Sequence, residues 1–174
     1  MAQTTEAGEW MRTGADRARA LGALEARIIA TASIVTASWV RLRCQFGCDR
    51  YATNRCCPPH TPTAAEMREV LQAYSGAILF RCSSLKEPTP VAMKLEREAF
   101  LAGYYKALGL GAGRCRLCKT CDLEHPCQHP EEARPSLESC GIDVYATVRA
   151  NGMPIDVLTE EGEQGNYYGV VLVE

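Results

Sequence analysis

Apolar and polar residues alternate in short blocks along most of this chain, and the blocks predict single strands set between helices. Residues 1–13 are mostly polar without a sustained period, so they are expected to form a loose leader to one domain over 14–174. Asp16 to Leu24 is rich in Ala and Arg and predicts a helix, whereas Ala26–Ala30 and Ser38–Arg43 have the short, β-branched character of strands. Thr63-Ala-Ala-Glu66 has the form of a capping box, in which hydroxyl and carboxylate each satisfy a free amide at a helix start. Met67, Val70, Leu71 and Tyr74 supply the apolar face of that helix, over 63–74. Gly76–Cys82 reads as a buried strand and Lys86–Pro90 as a turn. From Val91, the spacing of Leu95, Ala99 and Ala102, joined by Phe100, Tyr104 and Leu108, predicts a long helix ending in the Gly109, Gly111, Gly113 stretch. Ser136–Ala150 is helical by the same reading, with Gly141 as a break inside it, and Tyr167–Val173 is a final strand. The fold class expected is α/β: a small mixed sheet with flanking helices and two cysteine-rich metal-binding loops, at Cys44–Pro62 and Cys115–Pro135.

Composition changes that picture at one point, the cysteines. A chain of 174 residues that is 47% hydrophobic buries a sizeable core without staples. Its ten cysteines fall short of the roughly 8–10% that marks disulfide scaffolds. The first twenty residues carry Glu6, Glu9 and Asp16 and do not look like a secretory signal. The longest uncharged stretch, Ile28–Val40, is short of the roughly 20 apolar residues that a membrane helix needs. A cytoplasmic location is therefore expected, where thiols stay reduced and clustered cysteines serve as metal ligands or redox groups. With 19 basic and 21 acidic residues, the net charge of −2 gives no basis for nucleic-acid binding by the whole surface.

Cys115, Cys118, Cys121 and Cys127 form C-x2-C-x2-C-x5-C. Three cysteines at successive intervals of three keep their sulfurs around one tight turn, which suits the corners of a 4Fe-4S cluster closed by a more distant fourth thiolate. Structural zinc is more often built from two separated pairs, and in a zinc site His125 and His129 become candidate ligands. The ferredoxin spacing is not matched, because the last interval is five residues and Pro126 precedes the final cysteine. Earlier in the chain, Cys44, Cys48, Cys56 and Cys57 give C-x3-C-x7-C-C-P-P. The prolines restrict the backbone beside Cys57 and help the loop present its thiolate. Adjacent cysteines point in different directions on most backbones, so Cys57 is taken as the ligand and Cys56 as a candidate fourth. A site with three cysteines leaves one iron open to water or substrate, which is Lewis-acid chemistry; a second purely structural site of zinc or iron is the plainer alternative. Cys82, at the end of an apolar strand, and Cys140, in a helical stretch, read as packing residues.

The succession C-x3-C, CPP with T-P and a helix, a strand, AGYYKALGLGAGRCRLCKTC, then PC-x-HP and RPSLESCGIDV resembles the predicted metal-binding family known as domain of unknown function 2284, from about Ala20 to Val173. The resemblance implies a cytoplasmic, iron-sulfur-binding protein with no settled reaction. It carries ligand roles to Cys44, Cys48 and Cys57 and to Cys115, Cys118, Cys121 and Cys127. Relatives carry Pro at the position of Arg114 and a bulky residue at that of Cys56, so the ligand set here differs from theirs by one available thiolate.

Fifteen of the 19 basic residues are Arg, and Arg41, Arg43, Arg50, Arg55, Arg114 and Arg116, with Lys119, crowd the two motifs. There they are expected to offset cluster charge and donate hydrogen bonds to sulfur, or else to lie solvated on the surface. The Gly109–Gly113 stretch is not G-x-G-x-x-G and reads as a helix terminator and close-approach loop. Three functions remain: an iron-sulfur protein passing electrons to or from a redox partner protein; an enzyme that binds a small substrate at the open iron of a three-cysteine cluster; and a zinc-stabilised interaction module. Neither a membrane nor a nucleic acid is an expected partner.

Overall fold

The computed structural model describes residues 3–174, with side chains from residue 8 onward. In chain order it contains α1 (Gln3–Ala20), β1 (Glu25–Ala30), α2 (Trp39–Gly47), α3 (Ala64–Leu71), β2 (Gly76–Cys82), α4 (Pro88–Leu101), β3 (Leu108–Leu110), α5 (Val144–Ala150) and β4 (Tyr167–Val173), with 3-10 turns at Thr31–Ser33 and Glu138–Cys140. The strands form one sheet in the order β1-β2-β4-β3, and every strand ladder in it is antiparallel. The α/β class with flanking helices is as the sequence predicts; the sheet is antiparallel throughout where a mixed one is expected, because strand directions alternate along β1-β2-β4-β3.

Both faces of the sheet are covered, as the continuous apolar character of β2 and β4 requires. Ile78, Phe80, Cys82, Val171 and Val173 face one side, where Trp10 and Ala18 of α1 and Val91, Ala92, Leu95 and Ala99 of α4 complete the packing. Ala77, Leu79, Tyr168, Val170 and Leu172 face the other, against Met67 and Leu71 of α3, Cys140, Ile142, Val148, Met153 and Ile155. The period of two along each strand thus separates two cores. Cys82 and Cys140 are buried, one in each core, in line with their reading as packing residues. Among the described residues, no helix is long and apolar enough to cross a membrane.

Several elements differ from expectation. Helix α1 runs through most of the stretch expected as a loose leader and stops before Leu24, because Trp10 is only 4% exposed and packs on the Tyr104 ring at 5.5 Å. Ser38–Arg43 is not a strand: helix α2 begins at Trp39, in a segment with one β-branched residue, Val40, among Leu, Arg and Gln, which favour helices. The expected turn at Lys86–Pro90 already contains the start of α4, with Pro88 where a missing N–H costs nothing. That helix ends at Leu101, and Leu108 lies instead in the edge strand β3, paired with Leu172. Helix α3 ends at Leu71, three residues early, but its start is as read: the Thr63 hydroxyl accepts from the Glu66 amide and the Glu66 carboxylate accepts from the Thr63 amide at 2.7 Å. Within 136–150, Gly141 does break the helix. Its φ of +74° is left-handed, and a Cβ there would come within 2.8 Å of the Ala64 backbone, so this turn seats the N-terminus of α3. Asp143 then caps α5 by accepting from the Ala146 amide.

Two closures position the cysteine-rich loops. Gly111 donates to Pro135 and accepts from Leu137, so the second loop leaves and rejoins the fold at one point. A Cβ on Gly111 would lie 2.1 Å from the Thr89 hydroxyl, which makes this the close-approach glycine that the sequence suggested. The start of α2 is joined to the Gly141 turn by the Ala37 amide donating to Gly141 and the Asp143 amide donating to Val35. Replacing Trp10 with Ala is expected to cost about 3–5 kcal/mol in urea unfolding; a true leader would lose nothing measurable.

Candidate metal centre

The first loop is shaped by hydrogen bonds at its base. Cys44 lies in the last turns of α2 and Cys48 caps that helix in extended conformation. The chain then turns so that the Asn54 side-chain oxygen accepts from the Cys56 amide at 2.8 Å and the Asn54 carbonyl accepts from the Cys57 amide at 3.0 Å. The Pro58-Pro59 bond that follows is cis. Arg41 holds the outgoing strand of the loop, its guanidinium donating to the carbonyls of Pro59, Thr61 and Pro62, each at 3.2 Å.

The second loop has almost no scaffold of its own. Among the described residues, no backbone–backbone hydrogen bond forms within 113–128. Arg55 of the first loop holds it instead, donating to the carbonyls of Asp122 and Leu123 at 2.9 Å and to that of His125. The Asp122 carboxylate accepts from the amides of Glu124 and His125 and pairs with the His125 ring at 2.8 Å, which holds the Asp122 carboxyl below its ordinary value. His125 is therefore engaged with a carboxylate in this arrangement, while His129 lines the sulfur-walled cavity. At the foot of the loop, Arg134 forms a two-point ion pair with Glu96, at 2.6 and 2.7 Å, both side chains about five-sixths buried.

The structure brings all eight motif cysteines to one region but divides them unexpectedly. Cys56, Cys115, Cys118, Cys121 and Cys127 line one small cavity, which puts the Cys56 thiol beside the second-loop cysteines. Cys57 is not part of that lining; after burial, the thiols that raise its pKa most are Cys48 and Cys44, followed by Cys115 and Cys121. The two adjacent thiols are buried, while Cys44 and the four cysteines of the second loop are half-buried and Cys48 is exposed. Among the described residues, no three His, Cys, Asp or Glu side chains are drawn together tightly enough to hold a single metal ion.

Electrostatics follow from this gathering. Burial, and then the neighbouring Cys115, Cys57 and Cys127, push the Cys56 thiol up to about 12. Burial, with Cys48, Cys44, Cys115 and Cys121, pushes Cys57 up to about 11, and burial with Cys48 and Glu138 raises Cys44. Without a cation the thiols stay protonated; a metal would take their charge and release their protons. The guanidinium groups do not meet sulfur as expected: those of Arg41 and Arg55 go to carbonyls, and that of Arg116 goes to the Arg114 carbonyl. Sulfur receives backbone donors, the Arg55 amide to Cys121 at 3.5 Å and the His129 amide to Cys127 at 3.4 Å.

Next to the first set lies a larger cavity of about 370 Å³, which sequence reasoning missed because its walls come from distant segments. Its lining includes Trp39, Cys44 and Cys48 from α2 and its C-terminal cap, and Glu138, Tyr145 and Tyr167 from beyond the second cysteine-rich loop. Glu138 is an exposed residue of that lining.

The raised thiols carry a signed consequence. Protonation in the metal-free fold at pKa values above the unfolded value of about 9 stabilises the protein fully below pH 9 and is lost as pH rises toward 11–12. Metal-free protein is thus expected to lose melting temperature between pH 8.5 and 10.5 on the order of several degrees, and metal-loaded protein to change less; equal slopes in scanning calorimetry would contradict this. Arg55→Ala, which frees three carbonyls of the second loop, is expected to speed tryptic cleavage at Arg116 and Lys119 by about tenfold or more in metal-free protein, followed by mass spectrometry.

A family profile described as "Predicted metal-binding protein (DUF2284)" matches residues 27–173. Comparisons with curated proteins and with solved structures give no match. The matched span takes in all four strands but the first two residues of β1, both cysteine-rich loops and the cavity beside them. This chain therefore belongs to the DUF2284 family of predicted metal-binding proteins.

Proposed function

We propose that this protein binds two 4Fe-4S clusters and passes electrons to or from a partner enzyme. The observation that carries the reading is the gathering of the eight motif thiols in one region, Cys56 in the wall of the cavity lined by the four second-loop cysteines and Cys57 with Cys48 and Cys44 as its strongest thiol neighbours. Consecutive Cα atoms are about 3.8 Å apart, so the two sets are neighbours through a single peptide unit. When bound, such clusters exchange single electrons at potentials set by ligand type, hydrogen bonds to sulfur and solvent exposure.

The donor set fits such a group. Cys115, Cys118, Cys121 and Cys127 would hold one cluster, with Cys56 beside them as a fifth thiol, and Cys44, Cys48 and Cys57 would hold the other. The void between the second-set thiols is only about 20 Å³, so the half-exposed turn around Cys118 has to move outward on loading. The lack of backbone hydrogen bonds in 113–128 leaves it free to do so. The amides of Arg55 and His129 donate toward sulfur and would favour the reduced, more negative state. Exposure of Cys48 puts the first set at the surface, and Leu42 and Phe46 stand exposed on the same helix as apolar surface for a redox partner.

Anaerobic purification is expected to yield about eight irons and about eight acid-labile sulfides per chain, with spin–spin broadening in the fully reduced electron paramagnetic resonance spectrum. Cys118→Ser is expected to lower iron by about half. Zinc with no sulfide would overturn the reading in favour of a zinc-stabilised interaction module.

A further inference from the structure

The charged groups around the 370 Å³ cavity are unbalanced: Glu138, Asp143 and Asp156 stand against Arg43 alone. The remaining wall is largely apolar, with Trp39, Leu85, Ile155 and Leu158. A space of this size and lining is typical of a small-molecule site, and three carboxyl groups against one guanidinium disfavour an anion there. Part of the lining carries chemistry. Cys44 and Cys48 of the first cysteine set line the cavity, and so does the exposed Glu138. Glu138 belongs to the 3-10 turn Glu138–Cys140, whose Ser139 carbonyl accepts from the Thr61 hydroxyl, so the turn is tied to the first cysteine-rich loop. Its position relative to Cys44 is thus set by the fold and not by a free loop.

We propose that this cavity binds a small neutral molecule with an apolar, ring-sized body and one hydroxyl group, the hydroxyl donating to the Glu138 carboxylate beside the first cysteine set. The inference rests on the two-cluster reading for what occupies Cys44, Cys48 and Cys57. A three-thiol set next to a substrate-sized cavity is the arrangement in which a metal site has a position left for a ligand. Glu138 is the positioning residue, and the apolar wall provides most of the contact area.

The probe is 4-fluorophenol, followed by fluorine NMR on anaerobically purified full-length protein, with fluorobenzene as the control that lacks the oxygen. One saturable site is expected, with 4-fluorophenol held about fivefold more tightly than fluorobenzene. Glu138→Leu is expected to abolish that preference while fluorobenzene still binds, and Val144→Trp, which fills the cavity, to weaken both by about tenfold. Dithionite reduction is expected to broaden the bound fluorine signal, because Cys44 and Cys48 line the cavity. Absence of saturable binding up to 10 mM (about the range of a weak fragment), or binding unchanged by both substitutions, would overturn the proposal. An unbroadened line in iron-loaded protein would overturn the placement beside the metal. Iron and sulfide are assayed on the same sample: saturable binding without iron or sulfide sinks the two-cluster reading alone, whereas a loaded protein that ignores the probe sinks this inference alone.

Discussion

Two adjacent thiols, Cys56 and Cys57, are buried against different neighbours, and much of the site depends on that constraint. Side chains on consecutive residues of a turning backbone diverge, so one dipeptide can serve two sites only if something holds the turn. Here Asn54 takes both cysteine amides, one through its side chain and one through its carbonyl, while Arg41 grips the carbonyls that follow the turn and Arg55 those of the second loop. The arginines thereby act as a scaffold for loops that form almost no secondary structure. Cationic side chains suit this task because a planar guanidinium satisfies several carbonyls at once.

The sheet supplies what those loops lack. Its two faces are filled by separate cores, and both cysteine-rich segments are pinned where they leave it, the second at Gly111–Leu137 and the first through α2 and the Gly141 turn. Residues 113–128 are then organised by contacts with the first loop and by their own sulfurs. A segment with so few internal bonds is at the low-stability end of the molecule, and a metal would be its natural cross-link. Electrostatics agree: burial, and then the nearness of other sulfurs, keeps Cys56 and Cys57 protonated until a cation takes their charge.

Much of the fold was legible in local signals. The capping box at Thr63, the apolar runs of β2 and β4 and the break at Gly141 all stand where the residues put them, because each depends on neighbours within a few positions. The expectations that missed involve partners far along the chain. Trp10 makes α1 a packed helix only because Tyr104 lies across from it, and Leu108 is a strand residue only because Leu172 offers a ladder. Arginines near the cysteines suggested charge compensation and hydrogen bonds to sulfur; the charge of Arg41 does act on Cys44, but the guanidinium groups of Arg41 and Arg55 donate to carbonyls, a choice that depends on how two loops cross.

The sequence by itself determined that cysteines at two spacings gather in two loops on an α/β framework, because cysteine spacing and hydrophobic period are local quantities. Only the tertiary structure decided how the thiols divide. Cys56 belongs with residues some sixty positions away, and the cavity beside Cys44 is closed by Glu138 and Tyr167 from still more distant segments. Which sulfurs share a site, and what space lies next to them, are properties of contact between segments, and a linear pattern carries no record of them until the sheet has brought those segments together.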